Sequence, residues 1–186
     1  STTVTRGRCS SSSPTAPTPR STVIWTAGDG IAGVTFVGST AVAKLVYRRA
    51  SGNLKRVLAL GGAKNHLIVL PDAEIEMTSS NVVASMAGCA GQRCMAASVM
   101  VAVSDMDPII ARLVQHARAM VPGVTMGPVI SAAAKQRIEG YITEAEAAGA
   151  KVLVDGRNTV LPGREGGYFV GPTVIDHVRP DMRIAQ

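Results

Sequence analysis

The chain has 186 residues, 46% hydrophobic and 17% charged, enough apolar side chain for one packed domain and too much for general disorder. Aromatic residues make up only 3%, so the core must come from Ala, Val, Leu, Ile and Met, and the clustered stacking platforms of RNA-binding domains are excluded. The net charge of +6 is spread without a run of like charges, which reads as a solvated basic surface and not as a nucleic-acid or membrane patch.

Residues 1–30 open the chain with STTVTRGRCSSSSPTAPTPR, rich in Ser, Thr and Pro, and are expected to be a disordered arm. Val34–Val37 is a short β-like run ending at Gly38-Ser39. Thr40 to Ala50 follows with apolar residues at Val42, Leu45 and Val46, a helical spacing that Gly52 is expected to stop. Two further apolar runs, 56–60 and 66–70, flank Gly61-Gly62-Ala63-Lys64, and 73–87 is expected to be helical. Residues 99–103 read as a buried strand. Asp107-Pro108 reads as an N-cap with Pro at the first helical position, followed by one apolar face of Ile109, Ile110, Leu113, Val114 and Ala117. Ser131 is expected to cap another helix, which Gly149 ends. Residues 151–154 form a strand, and 168–178 an extended segment broken at Gly171-Pro172. Strands alternating with helices predict an α/β fold with a largely parallel sheet and flanking helices.

Three cysteines, Cys9, Cys89 and Cys94, are too few and odd in number for a disulfide framework, and none has partners at zinc-site spacing, so no metal is expected. No apolar stretch reaches the roughly 18 residues that would span a bilayer. Cys94 is the candidate nucleophile. Gly91 lets backbone approach closely, Arg93 supplies adjacent positive charge, and Ala90, Ala96 and Ala97 leave room for a substrate. Cys89, with no neighbouring charge, reads as structural. Gly38-Ser39 between a strand and a helix is a candidate anion site, weak on its own because a plain strand–turn–helix reads the same way.

Taken together, Gly38-Ser39, the run Leu60-Gly61-Gly62-Ala63-Lys64-Asn65-His66 with the following Pro-Asp-Ala, Gly91-Gln92-Arg93-Cys94-Met95-Ala96, and Phe169-Val170-Gly171-Pro172-Thr173 resemble the aldehyde dehydrogenase superfamily, and within it the CoA-acylating, methylmalonate-semialdehyde branch. The resemblance covers roughly residues 31–186 and implies an aldehyde-dehydrogenase-like catalytic domain. It implies a remnant of the Rossmann-type, NAD-binding domain over 31–70 and a partial catalytic domain over 71–186.

What the resemblance implies for each residue follows from the matched motifs. Cys94 would attack the aldehyde and carry a thioester. Arg93 would bind the distal carboxylate of the semialdehyde. Gly38 and Ser39 would contact the NAD phosphates, and Gly61 would lie near the nicotinamide. Hydrolysing members place a Glu where this chain has Leu60, which has no proton-accepting group, so the thioester is expected to wait for the thiol of CoA as co-substrate. The expected reaction is NAD-dependent oxidative decarboxylation of malonate or methylmalonate semialdehyde to acetyl-CoA or propionyl-CoA. The parent enzyme is expected to be a homo-oligomer in the cytoplasm, or alternatively the mitochondrial matrix, with no nucleic-acid or membrane partner. Against the family pattern the chain lacks the upstream Asn, the ribose-gripping Lys and the segment beyond Gln186. The alternatives are therefore a non-catalytic fragment of such an enzyme, a hydrolysing relative, or a thiol-dependent esterase or acyltransferase.

Overall fold

The structure is a computed structural model that describes residues 2–3 and 26–186. The arm expected over the first thirty residues therefore lies largely outside the described residues. The chain divides into two compact units, Ser1–Ala63 and Lys64–Gln186.

The first unit is a βαβ crossover. Strand β1 (Thr2–Thr3) runs antiparallel to β2 (Gly33–Val37), which pairs in parallel with β3 (Arg56–Leu60), from Gly33 opposite Arg56 to Val37 opposite Leu60. Helix α1 (Thr40–Gly52) makes the crossover. Its periodic apolar residues are the reason it packs: Val46 and Ala50 are buried against Val34 of β2, with Ile31, Phe36, Val42 and Val57 around them. The alternating side chains of the two strands face away from α1, and Val37, Leu58 and Leu60 are exposed. The helix continues through Gly52, and the chain reverses at Leu54, whose φ is +56°. Lys55 fixes that exit by donating from Nζ to the carbonyls of Gly28 and Ile31, each at 2.7 Å.

The second unit begins with β4 (His66–Val69), paired in parallel with β5 (Val99–Ala102) from His66 opposite Val99. Between them run α2 (Ile75–Ala87) and a glycine-punctuated turn (Gly88–Gly91). Then come α3 (Asp107–Ala119), α4 (Ala132–Ala147), β6 (Lys151–Val154) and β7 (Val174–Asp176). Val82 and Val83 of α2, Leu113 and Ala117 of α3 and Val154 of β6 form the main core, with Leu67 and Met100 from the parallel strands packed against it. Each such burial stabilises the unit by roughly 25 cal/mol per Å² of apolar surface removed from water, and further clusters around Val69, Val129 and Ala145 add to it.

Three expectations shift. The strand at 99–103 is not buried: Val101 and Val103 are exposed, because among the described residues only the face that carries Met100 packs against the helices. The N-cap of α3 is Met106, one residue earlier than expected, so Asp107 and Pro108 occupy its first turn; Asp105 supports the turn by accepting from Asp107 N at 3.1 Å. The extended segment at 168–178 contributes a strand only over Val174–Asp176, and it runs antiparallel to β6. Upstream, Gly171 is drawn out of the ladder by its bonds to Gly156 O (2.8 Å) and Thr159 Oγ1 (3.1 Å). A Cβ on Gly156 would stand 2.0 Å from Gly171 O, so the two backbones touch there only because Gly156 has none. Ser131 caps α4 as expected, accepting from Ala134 N at 3.1 Å, and Gly149 takes φ +96° after it. Among the described residues, no helix is long and apolar enough to cross a membrane.

Candidate active site

The candidate residues fall into two groups, one in each unit. In the first unit, Gly38 ends β2 and donates its N–H to Leu60 O at 3.1 Å, holding the ends of the two strands together. Any Cβ at Gly38 would lie 2.6 Å from the Phe36 ring, which folds over it. Ser39 is the N-cap of α1 in extended backbone, but its hydroxyl makes no capping bond. Residues 38–41 are exposed, and the first turn of α1 carries no acidic side chain. A helix N-terminus with open N–H groups, a hydroxyl beside it and no competing carboxylate fits a phosphate of a dinucleotide.

Gly61 sits directly across from α1. A Cβ there would meet Thr40 Oγ1 at 2.8 Å, and the same hydroxyl accepts from Gly62 N at 3.0 Å. Thr40 is therefore the residue that ties the Gly61-Gly62 backbone to the start of α1. Sequence reasoning missed it, because a Thr opening a helix carries no chemical signature of its own. Leu60 is half exposed at the end of β3 and offers no proton acceptor there.

In the second unit, Cys94 lies on the loop that follows α2. The loop opens with three consecutive residues of positive φ, Cys89 (+52°), Ala90 (+52°) and Gly91 (+72°). The left-handed conformation costs roughly 1–2 kcal/mol for each non-glycine residue, so the two at Cys89 and Ala90 must be held in place. Gln92 does much of that holding. Its side-chain amide donates to Cys89 O (3.0 Å) and Pro128 O (3.2 Å), and its Oε1 accepts from Ile130 N (3.0 Å). The loop is thereby tied to the segment that precedes α4.

Asn65 holds the nucleophile's own peptide. Its Nδ2 donates to Cys94 O at 2.7 Å and to Ala96 O at 3.0 Å, while its backbone carbonyl accepts from Ser98 N and Val99 N. Ser85 Oγ accepts from Ala97 N at 3.1 Å, fixing the same stretch to α2. Arg93 turns its guanidinium back over Gly88, and Nη2 donates to the carbonyls of Ala84 (2.9 Å) and Ser85 (3.1 Å) near the C-terminal end of α2. That is a favourable place for a cation. It means that the charge beside Cys94 is shared with a helix end. Cys94 is exposed, and so is Cys89, the thiol read as structural for its lack of a neighbouring charge. Sequence reasoning also missed Asn65 and Gln92, whose bonds reach 29 to 38 residues along the chain.

The helix that carries this loop is pinned at its other end. Glu74 caps α2 by accepting from Glu76 N and Met77 N, and those backbone bonds hold its carboxyl below the usual range. Glu76 pairs with Arg112 of α3, a two-bond contact that includes Nη2 to Oε1 at 3.0 Å, and the guanidinium holds the Glu76 carboxyl below its ordinary value. Among the described residues, no group of His, Cys, Asp and Glu side chains could hold a metal ion.

Comparison with known proteins matches the model of the aldehyde dehydrogenase family to residues 22–186. A Drosophila melanogaster protein, provisionally named methylmalonate-semialdehyde/malonate-semialdehyde dehydrogenase (acylating), mitochondrial, is 46% identical over 159 residues, covering 82% of this chain and 31% of the relative. Malonate-semialdehyde dehydrogenase 3 of Geobacillus kaustophilus (strain HTA426) is 45% identical over 161 residues, covering 83% of this chain and 33% of the relative. The crystal structure of methylmalonate-semialdehyde dehydrogenase (DddC) from Oceanimonas doudoroffii superposes with a TM-score of 0.85 at 41% identity, over 90% of this chain and 36% of the other. A Sinorhizobium meliloti 1021 protein, provisionally named methylmalonate-semialdehyde dehydrogenase and complexed with NAD, gives 0.83 at 41% identity, over 89% and 36%. The chain thus has the α/β fold of these proteins and spans about a third of the length of the relatives it matches.

Proposed function

The chain belongs to the aldehyde dehydrogenase family, and from that premise we propose that the protein oxidises malonate or methylmalonate semialdehyde with NAD and hands the acyl group to CoA. The observation that carries this reading is the Cys94 loop: an exposed cysteine whose carbonyl Asn65 holds, on a loop that Ser85 binds at Ala97 and that Gln92 ties to the segment before α4.

The chemistry assigned to the chain's own residues is as follows. The Cys94 thiolate adds to the aldehyde carbon, forming a C–S bond and a thiohemiacetal oxyanion. Collapse of that oxyanion releases the aldehyde hydrogen as hydride and leaves a thioester on Cys94. NAD, when bound, supplies the acceptor for that hydride. Gly38, Ser39 and the open first turn of α1 would hold its phosphates, and the Gly61-Gly62 backbone, set by Thr40, would lie beside it. Arg93 has guanidinium nitrogens other than Nη2 to offer the substrate's distal carboxylate. Loss of that carboxylate as CO2 leaves the bonding electron pair on the α-carbon as a thioester enolate, which takes a proton from water to give the acetyl or propionyl group. The thiol of CoA then attacks the thioester carbonyl, the C–S bond to Cys94 breaks, and the cysteine is regenerated. Leu60 cannot take a proton from water, which supports CoA and not water as the acceptor.

The relatives' names agree with this substrate class: two carry malonate semialdehyde and the Drosophila protein is named acylating. The same reading brings a homo-oligomeric parent protein, in the cytoplasm or, as the Drosophila relative's name has it, the mitochondrion. The test is product analysis. Malonate semialdehyde and NAD should give NADH and acetyl-CoA only with CoA present; free acid formed without CoA would overturn the acylating reading.

A further inference from the structure

Lys64 takes no part in the chemistry assigned above, yet it is half-buried and stands next to Asn65, whose side chain holds the Cys94 peptide. Its ammonium reaches a backbone carbonyl and not a carboxylate: Nζ donates to Ile184 O at 2.5 Å, across 120 positions of sequence. The residues that lead up to it, Gly61, Gly62 and Ala63, are exposed and lie outside any helix or strand, and β4 begins only at His66. The Lys64 bond is thus the first fixed point of this unit on the way into β4.

The carbonyl that Lys64 holds is itself seated on α4. It belongs to a short turn, Arg183–Ala185. Met182, which leads into the turn, is buried with Ala145 of α4 and with Ala150, and Ile184 packs against them. Arg183 donates from Nη1 to Glu144 Oε1 at 3.0 Å, and its guanidinium carbon lies 4.7 Å from the centroid of the Tyr141 ring. On the other side, Asn65 Nδ2 donates to Cys94 O and Ala96 O, and Asn65 O accepts from Ser98 N (3.2 Å) and Val99 N (3.1 Å). Two consecutive residues therefore join the frame of α4 to the nucleophile's peptide. Because Asn65 follows an exposed, glycine-rich approach, the Lys64 bond is what fixes its backbone from the upstream side.

We propose that Lys64 is a positioning residue for the Cys94 thiol: by holding Ile184 O it sets where Asn65 stands, and Asn65 in turn sets the Cys94 peptide. The proposal rests on the reading of Cys94 as the nucleophile. In this role Lys64 touches neither substrate nor reacting atoms and acts through Asn65 alone. Two consequences separate it from plain stabilisation. Loss of the Lys64 bond should be felt in the chemical step and not in cofactor binding. It should also be masked once Asn65 has lost its side chain, because two residues that act in series do not add.

The test is a double-mutant cycle read by kinetics and by amide hydrogen exchange. Lys64→Met keeps most of the stem and removes the donor, and Lys64→Arg keeps a cationic N–H donor. With malonate semialdehyde, NAD and CoA, Lys64→Met should lower kcat by about tenfold, a part of the roughly 10²-fold that misplacing a reacting group costs. KM for NAD should stay nearly unchanged, and Lys64→Arg should restore most of the rate. Lys64→Met added to Asn65→Ala should lower kcat no further. In hydrogen exchange, Lys64→Met should speed the amides of Ser98 and Val99, which bond Asn65 O, and leave those of α3 at their original rate. Any of four results overturns the proposal: an unchanged kcat, a full additive loss in the double variant, no rescue by Lys64→Arg, or exchange that quickens in α3 as much as at Ser98 and Val99. Exchange needs no turnover, so a protein that makes no NADH but shows the local quickening contradicts the proposed function alone. A protein that makes acyl-CoA and keeps its rate and its exchange in Lys64→Met contradicts this inference alone.

Discussion

The two glycine-rich turns of this chain are stabilised in opposite ways. The turn at Gly38-Ser39 with Gly61-Gly62 is shaped by the absence of side chains: Phe36 fills the space above Gly38, and one hydroxyl, that of Thr40, sets the second pair of glycines. The loop at 88–98 is shaped by side chains: Asn65 and Ser85 reach in to bond its backbone, and its own Gln92 bonds Cys89 O and reaches out to Pro128 O and Ile130 N. The first arrangement leaves backbone N–H groups facing outward, which suits a ligand bound by its phosphates. The second presents one thiol in a fixed position, which suits covalent chemistry. The comparison teaches that substitutions around the first should change cofactor affinity, and those around the second should change the chemical step.

That distinction can be broken by mutation. The largest effect belongs to Cys94→Ala, which should abolish thioester formation and all CoA-dependent NADH production, measured by absorbance and by mass analysis of the 94–112 peptide. Asn65→Ala removes both side-chain bonds to the nucleophile's peptide. Misplacing a reacting group by about an ångström costs on the order of 10²-fold in rate, so kcat should fall by about that factor while KM for NAD changes little. Thr40→Val removes one hydrogen bond to the Gly62 N–H, worth about 0.5–1.5 kcal/mol. It should raise KM for NAD by roughly two- to tenfold and leave kcat nearly unchanged. If Thr40→Val lowered kcat and Asn65→Ala raised KM, the contrast between the two turns would be wrong.

The smallest effect is a pH dependence. Helix α2, which leads into the Cys94 loop, is tied to α3 by Glu76 and Arg112, and Arg112 holds the Glu76 carboxyl below its ordinary value. A carboxyl depressed in the folded state contributes stability that is fully present above its unfolded value, about 4.3, and is lost as pH falls through the lower folded value. Thermal unfolding should therefore show a modest loss of stability below about pH 4 that Glu76→Gln reduces, with Glu74 and Asp155 still contributing. An exposed pair such as this one is screened, so added salt should shrink the difference.

Much of the fold could be read from local pattern. The period of Val42, Leu45 and Val46 located α1, although Leu45 itself is exposed, the face Ile109, Ile110, Leu113, Val114 and Ala117 located α3, and Ser131 marked the start of α4. Those signals are local and act within a few residues. What went unread depends on distant contacts. The exposure of Val101 follows from the helices covering only the Met100 face of β5, and the short β7 follows from Gly171 bonding to Gly156 and Thr159. In the candidate site, Cys94 stood out by its small and basic neighbours, and Gly38, Ser39 and Gly61 by the family resemblance; their roles belong to the proposed function. Thr40, Asn65 and Gln92 did not stand out, because their task is to bond a backbone group that only the fold brings near. Arg93 was noticed for its charge, but its bonds to Ala84 O and Ser85 O come from the way the loop returns over α2.

The central claim is that Cys94 carries an acyl thioester whose natural acceptor is CoA. The most direct measurement is NADH formation from malonate semialdehyde and NAD, with and without CoA, for the protein and for Cys94→Ala, with the products identified. The account predicts NADH and acetyl-CoA together, only with CoA and only with Cys94 present. NADH formed equally without CoA and accompanied by free acid, or turnover that survives in Cys94→Ala, would contradict it.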